Sequence, residues 1–266
     1  MPSRWRVLLQ VLVARPVMTF NSSKITLRGS DSPVNGFEKL DKYAHCDGKV
    51  DPYMVYQRNL GLSPERVLSA GREAGLLQQE AVAIFGWTLG DFEFLNKIAW
   101  GAQNVTFGVE PFGFPHCTLT KADVLPYIEV LVSGLQRLPA AQPAVLWRGS
   151  KRSAKRLGKV IAGGFDSTSR SFDAAFNFVK GSGGSLWAIE SHTAGKDISN
   201  FSDKPAEGEV LFPAGSRLEV VDCSPVVITD AIRRKVKEAE TPSQKIDIIC
   251  LKGAPSIIVD SYFVLV

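Results

Sequence analysis

Pro143-Ala144-Val145-Leu146-Trp147-Arg148-Gly149-Ser150 is the stretch at which the chain changes its pattern. Beyond Pro143, residues 144–147, 161–169, 186–190, 210–212, 217–222, 246–251 and 256–266 are short apolar or alternating segments. Gly, Pro and Ser bound them, so they read as strands. Short helices interrupt them near residues 153–158, 172–179 and 230–240. Before Pro143, from about residue 50 to residue 137, apolar residues recur at helical spacing. Ser63-Pro64-Glu65 supplies an N-cap, a proline at the first helical position and early negative charge, for a helix reaching Ala74 and stopping at Gly75. Residues 76–85 and 91–100 read as two further helices. Thr120 and Asp123 form a capping-box-like start to a helix ending near Arg137, with Pro126 inside it. Helices first and strands later imply an α+β fold with a mostly antiparallel core. Residues 1–45 read as an N-terminal extension, disordered or an export segment. Residues 46–266 read as one domain, a helical lobe at about 50–137 and a β core at about 144–266.

The bulk numbers narrow the classes of function. With 266 residues, 45% of them hydrophobic and 22% charged, the composition is that of an ordinary globular protein. A net charge of +4 is too small to argue for nucleic acid, and no such partner is expected. No Asp or Glu precedes Asp31, whereas Arg4, Arg6, Arg15, Lys24 and Arg28 do. The apolar run at residues 7–14 is too short for a membrane span, which needs about 20 residues. It resembles a signal-peptide core, but Arg15 and Pro16 replace the small-residue cleavage pattern. Cys46, Cys117, Cys223 and Cys250 include no Cys-x-x-Cys and read as free thiols of a reducing compartment. His45-Cys46 and His116-Cys117 lack zinc-ligand spacing, so no metal is expected.

Several familiar motifs fail. Gly181-Ser182-Gly183-Gly184 does not satisfy G-x-G-x-x-G, and it follows a helix and precedes a strand, the reverse of a dinucleotide-binding turn. Gly158-Lys159 lacks the remainder of a phosphate-binding loop. Lys151, Arg152, Lys155, Arg156 and Lys159 read as a solvated helix face. With three histidines, none beside a candidate nucleophile, a Ser-His-Asp hydrolase is not supported.

Three pieces remain and belong together. They are Leu146-Trp147-Arg148-Gly149, with an arginine at the carboxyl end of an apolar strand, then Phe165-Asp166-Ser167-Thr168-Ser169, and then Glu207-Gly208-Glu209 running into Val210-Leu211-Phe212. In this order and spacing the chain resembles the arginine–serine–glutamate class of mono-ADP-ribosyltransferases, which includes bacterial toxins, type III effectors and vertebrate ecto-enzymes. Trp87-Thr88-Leu89-Gly90-Asp91-Phe92 with Asn96 resembles that family's aromatic-Thr-x-Gly-Asp-aromatic helical segment. The likeness covers roughly residues 76–222.

The resemblance implies NAD⁺ as substrate, lying in a cleft between two sheets. An arginine fork pairs bidentately with a pyrophosphate, the work expected of Arg148, and Gly149 would let the backbone approach the ligand. Ser167 would orient the catalytic glutamate, with Thr168 and Ser169 holding the strand and the cofactor edge. Glycosidic cleavage passes through an oxocarbenium-like state that a fixed carboxylate stabilises, and Glu209 matches that position. In an extended segment Glu207 would face the same side, and the resemblance assigns it to the acceptor, which it would grip or deprotonate. In the family that the chain resembles, two glutamates go with arginine as acceptor, so the resemblance implies that acceptor here. Phe201, the one aromatic of the loop at 199–206, is either an anchor for the acceptor protein or a residue folded onto the core.

The expected protein is a monomeric NAD-protein ADP-ribosyltransferase with an α+β fold and a mostly antiparallel two-sheet core. It would need no metal and act on a host protein as a secreted bacterial effector or toxin in the host cytosol. Asn21, Asn104 and Asn200 are glycosylation sequons, and a glycan on Asn200 would obstruct this cleft, which favours a cytosolic working place. An NAD glycohydrolase, a Ser/Thr hydroxyl acceptor and a catalytically dead NAD-binding module are the alternatives.

Overall fold

A computed structural model describes residues 18–19, 60–107, 117–151, 159–161, 164–190, 194–253 and 264–265. The expected helix at 153–158, most of the strand at 256–266 and most of the extension at 1–45 lie outside those residues. In the helical lobe, α1 (Glu65–Glu73) follows Pro64, which takes the cap position with extended backbone in place of the expected Ser63. Next come α2 (Gln78–Gly86), a π-turn (Trp87–Asp91) and α3 (Phe92–Ala99). The π-turn joins what the sequence suggested were separate helices, with Gly90 at φ 116° absorbing the change of direction. A hairpin of β2 (Asn104–Phe107) and β3 (Cys117–Thr120) leads into α4 (Lys121–Arg137). Glu80 is buried between α2 and α4, yet its carboxylate is satisfied. It accepts from Leu77 N at 2.8 Å and Ser133 Oγ at 2.7 Å and pairs with Arg137 Nε at 3.1 Å.

The β region comprises β4 (Leu146–Ser150), β5 (Lys159–Ile161), β6 (Asp166–Ser169), β7 (Gly184–Glu190), β8 (Lys196–Asp197), β9 (Glu209–Phe212), β10 (Arg217–Val221) and β11 (Ile246–Gly253). They form one hydrogen-bonded sheet in the order β5-β10-β11-β7-β4-β6-β9-β8, antiparallel except at β7 and β11. The segment expected as a single strand at 161–169 is thus two strands far apart in the sheet. Helices α5 (Phe172–Val179) and α6 (Asp230–Ala239) start where Ser171 and Thr229 accept the backbone amides of Ala174 and Ile232. Outside the main sheet, β1 (Met18–Thr19) pairs antiparallel with β12 (Val264–Leu265).

The sheet behaves as two leaves. β4 meets β6 through the single pair Trp147↔Ser169, whereas β4 and β7 pair over five residues. Side-chain alternation sorts the core accordingly. Leu146, Trp187, Ile189, Ile249 and Leu251 of the first leaf pack with Val210 and Phe212 of the second. Trp147, Leu186, Ala188 and Cys250 turn the other way, under α5 and α6. Phe165 and Leu211 of the second leaf turn toward the helical lobe and pack with Trp87, Leu95 and Ile98. Together these layers make the α+β architecture that the order of segments implied. Among the described residues no helix is long and apolar enough to cross a membrane.

One expectation about the cysteines is overturned. Cys223 and Cys250, read as free thiols, are joined as a disulfide with Cα atoms 5.1 Å apart. The β10–β11 register sets Val221 opposite Cys250, which brings Cys223, two residues further on, within bridging reach. A separation of 27 residues carries no local motif, so the pairing is invisible until the register is known.

Candidate active site

The site lies where the two leaves part and the helical lobe comes down on the second. Ser167↔Leu211 and Ser169↔Glu209 are register pairs of β6 and β9, so Ser167, Ser169 and Glu209 share the face that looks at the lobe. The Ser167 hydroxyl donates to Glu209 Oε1. Trp87 Nε1, from the π-turn, donates to the same oxygen at 3.3 Å. Burial pushes the Glu209 carboxyl above the usual carboxylate range. The Ser167 and Trp87 donors pull it back, and the charge of Glu207 pushes it up further. A partly buried carboxylate with a raised pKa and two aimed donors marks a candidate functional group.

Arg148 stands across the opening. It lies in the middle of β4 rather than at a carboxyl end, because the strand runs on to Ser150. Its Nη1 donates to the Ser167 carbonyl at 2.7 Å and its Nη2 pairs with Asp166 at 2.9 Å. The guanidinium lies 5.8 Å from the Trp187 ring centroid, and its buried Nε has no hydrogen-bond partner among the described residues. Asp166 is itself buried, which raises its carboxyl more than the neighbouring Arg148 lowers it. Asp166 carried no role in the sequence, although it sits within the Phe165–Ser169 segment that did.

The other expected residues divide. Thr168 turns to the inter-leaf side and donates to the Val210 carbonyl at 2.6 Å, a strand-holding contact. The Ser169 hydroxyl donates to the Glu207 carbonyl and accepts from Ser171 N at 2.8 Å, so it fixes the turn that carries Glu207. A Cβ on Gly149 would stand 2.4 Å from the Ala175 carbonyl oxygen, so this glycine lets α5 approach β4.

Glu207 is not in an extended segment with Glu209. It closes a 3₁₀ turn (Pro205–Glu207), and Gly208 follows in the left-handed region at φ 58°, ψ 51°. That reversal leaves the Glu207 side chain 48% exposed and 3.8 Å from Lys204, while Glu209 enters β9. Phe201 is also corrected as a partner anchor. At 3% exposure it packs in the core with Trp87 and Phe165, because the 3₁₀ turn Ser199–Phe201 bends its ring inward. The lobe grips this loop from outside. Arg66 of α1 donates to the carbonyls of Asn200 at 3.1 Å and Ser202 at 2.5 Å, and Thr88 Oγ1 accepts from Asp203 N at 3.0 Å.

Comparison with known proteins gives the architecture its place. No protein-family model matches the chain, and no curated protein sequence does. Solved structures do match. The eukaryotic mono-ADP-ribosyltransferase ART2.2, solved as a mutant with NAD, superposes with a TM-score of 0.54 at 17% identity over 82% of each chain. The fold is that of the mono-ADP-ribosyltransferases. Exoenzyme S from Pseudomonas aeruginosa, solved with human 14-3-3 protein beta and carba-NAD, gives 0.51 at 16% identity over 82% of this chain and 87% of its own. The type III effector XopAI from Xanthomonas axonopodis pv. citri gives 0.51 at 18% identity, over 82% and 86%.

Proposed function

We propose that the chain is an NAD⁺-consuming mono-ADP-ribosyltransferase that modifies an acceptor protein on arginine. The observation that carries this reading is Glu209, a carboxylate held by the Ser167 hydroxyl where the leaves part, with Arg148 across the opening. In the reaction the bond between the ribose C1′ and the nicotinamide nitrogen breaks, and nicotinamide leaves with the electron pair as a neutral base. Positive charge grows on the ribosyl ring, and Glu209 offers it a fixed negative charge at no cost of reorganisation. The second Glu209 oxygen accepts from the ribose 2′-hydroxyl.

Arg148 suits the pyrophosphate. Its Nε is buried without a partner among the described residues, and burial disfavours the charge on Asp166, so an anionic ligand competes well for the fork. Glu207, exposed at the mouth, receives the proton that an acceptor guanidinium loses as its nitrogen bonds to C1′. The expected setting is a bacterial effector or toxin, monomeric, acting on a host protein in the host cytosol. A second reading, NAD⁺ glycohydrolysis with water as acceptor, draws on Glu207 being engaged with Lys204 on an exposed turn.

The test is incubation of the purified chain with NAD⁺, with and without an arginine-rich protein, measuring nicotinamide release and mapping any ADP-ribose adduct. Release together with an adduct on arginine is the expected result. Release without an adduct favours the glycohydrolase, and neither product contradicts both readings.

A further inference from the structure

We propose that Trp87 is a positioning residue for Glu209, its indole N–H joining the Ser167 hydroxyl on one carboxylate oxygen so that the other oxygen alone is left for substrate. The inference rests on the transferase reading above and adds to it a contribution from the helical lobe. The Trp87 side chain is 2% exposed, and its N–H is its only polar group. A buried donor needs an acceptor, and the one it finds, 122 residues along the chain, is Glu209 Oε1 at 3.3 Å. Ser167 donates to that same oxygen, and among the described residues no protein group hydrogen-bonds to Oε2. Two donors converging on one oxygen from different elements fix the plane of the carboxylate as well as its position.

The indole cannot swing away. Its ring lies 5.3 Å edge-on from Phe165, which precedes β6, and 6.0 Å from Phe92 at the start of α3. The π-turn that presents it is tied down at the next residue. Thr88 Oγ1 donates to the Phe85 carbonyl at 2.8 Å and accepts from Asp203 N at 3.0 Å. Asn96 of α3 binds the Phe165 backbone both ways, at 3.1 Å and 2.8 Å, and so locks the lobe to the strand that carries Ser167. Glu209 therefore takes its working orientation only when lobe and strand pair are docked.

Among the described residues, the charged groups linked to Glu209 are Glu207 on the 3₁₀ turn, Lys204 paired with it, and Arg148, which is bonded to the Ser167 carbonyl and paired with Asp166. None of them changes when Trp87 is replaced. Removing a donor to the charged form makes the carboxyl harder to ionise.

The experiment compares wild type, Trp87→Phe, and a protein with benzothienylalanine at position 87, which keeps the bicyclic shape but has no N–H. Nicotinamide release from NAD⁺ is measured across pH, and the Glu209 carboxyl is titrated by carbon NMR. Both replacements should lower kcat about tenfold with KM for NAD⁺ little changed, and move the acid limb up by about one pH unit. The NMR titration should move by the same amount. A benzothienylalanine protein with the wild-type limb and titration would overturn the proposal, because packing alone would then account for Trp87. If wild type releases no nicotinamide, the transferase reading falls while the NMR titration still decides the Trp87 contact.

Discussion

Glu209 and Glu207 are separated by a single glycine, yet they occupy opposite physical settings. Glu209 opens a strand, is mostly withdrawn from water, and is held by donors from β6 and from the helical lobe. Glu207 ends a 3₁₀ turn, stands in solvent, and has an exposed lysine as its partner. The strand-borne half of the site is preorganised and bears an electrostatic cost, whereas the loop-borne half is accessible and its side chain is loosely held. Such a division suits a site in which one group must wait for a charge to develop and another must meet a second macromolecule. The loop backbone is nevertheless anchored, through Phe201 in the core and the Arg66 clamp.

That comparison can be broken at its base by Phe201→Ala. Emptying a site at 3% exposure in the lobe core should cost about 3–5 kcal/mol, read as a lower urea midpoint. An unchanged midpoint would mean that the loop is not built on the core. Arg148→Lys probes the strand-borne half. Charge is kept but the fork is lost, and one charge-assisted hydrogen bond is worth about 1.5–3 kcal/mol, so NAD⁺ affinity should fall roughly ten- to hundredfold. Calorimetric titration checks this, and unaltered affinity would remove the pyrophosphate role.

The smallest effect sharpens the contrast. Because burial raises the Glu209 carboxyl above its ordinary 4.5, its contribution to stability is full below that value and is lost as pH rises through the folded-state value. At pH 7 wild type carries that penalty and Glu209→Gln does not. The variant should melt higher at pH 7, by about 2–4 °C for each kcal/mol relieved, and the gap should close once pH is below about 4. A variant that melts lower at pH 7 would show the donors outweighing desolvation.

How much of this was legible in the sequence depended on whether the deciding interaction was local. The bounds of α5 were readable because Ser171 caps it within three residues of its own sequence. Arg148, Ser167 and Glu209 were singled out because their order and spacing resemble a known family's pattern, and Ser167 bonds to both of the others. The Trp87 contact was not readable, since it spans 122 residues and appears only when the π-turn is docked. The packing of α5 on Gly149 was not readable either, because the helix that needs the glycine lies beyond the strand in sequence. Glu207 was misplaced because one left-handed glycine reverses the chain between two residues that an extended reading keeps aligned.

The central claim is that these two glutamates divide the reaction, and one measurement tests it most directly. Nicotinamide release and ADP-ribose incorporation into an arginine-rich protein are followed together for Glu209→Ala and Glu207→Ala, each checked for folding. Glu209→Ala should lose both activities by about a hundredfold or more, because the ribosyl cation loses its stabilising carboxylate. Glu207→Ala should keep slow NAD⁺ cleavage while incorporation disappears. Equal loss of both activities in folded Glu207→Ala would contradict the division of labour, and full activity in Glu209→Ala would contradict the assignment of the site itself.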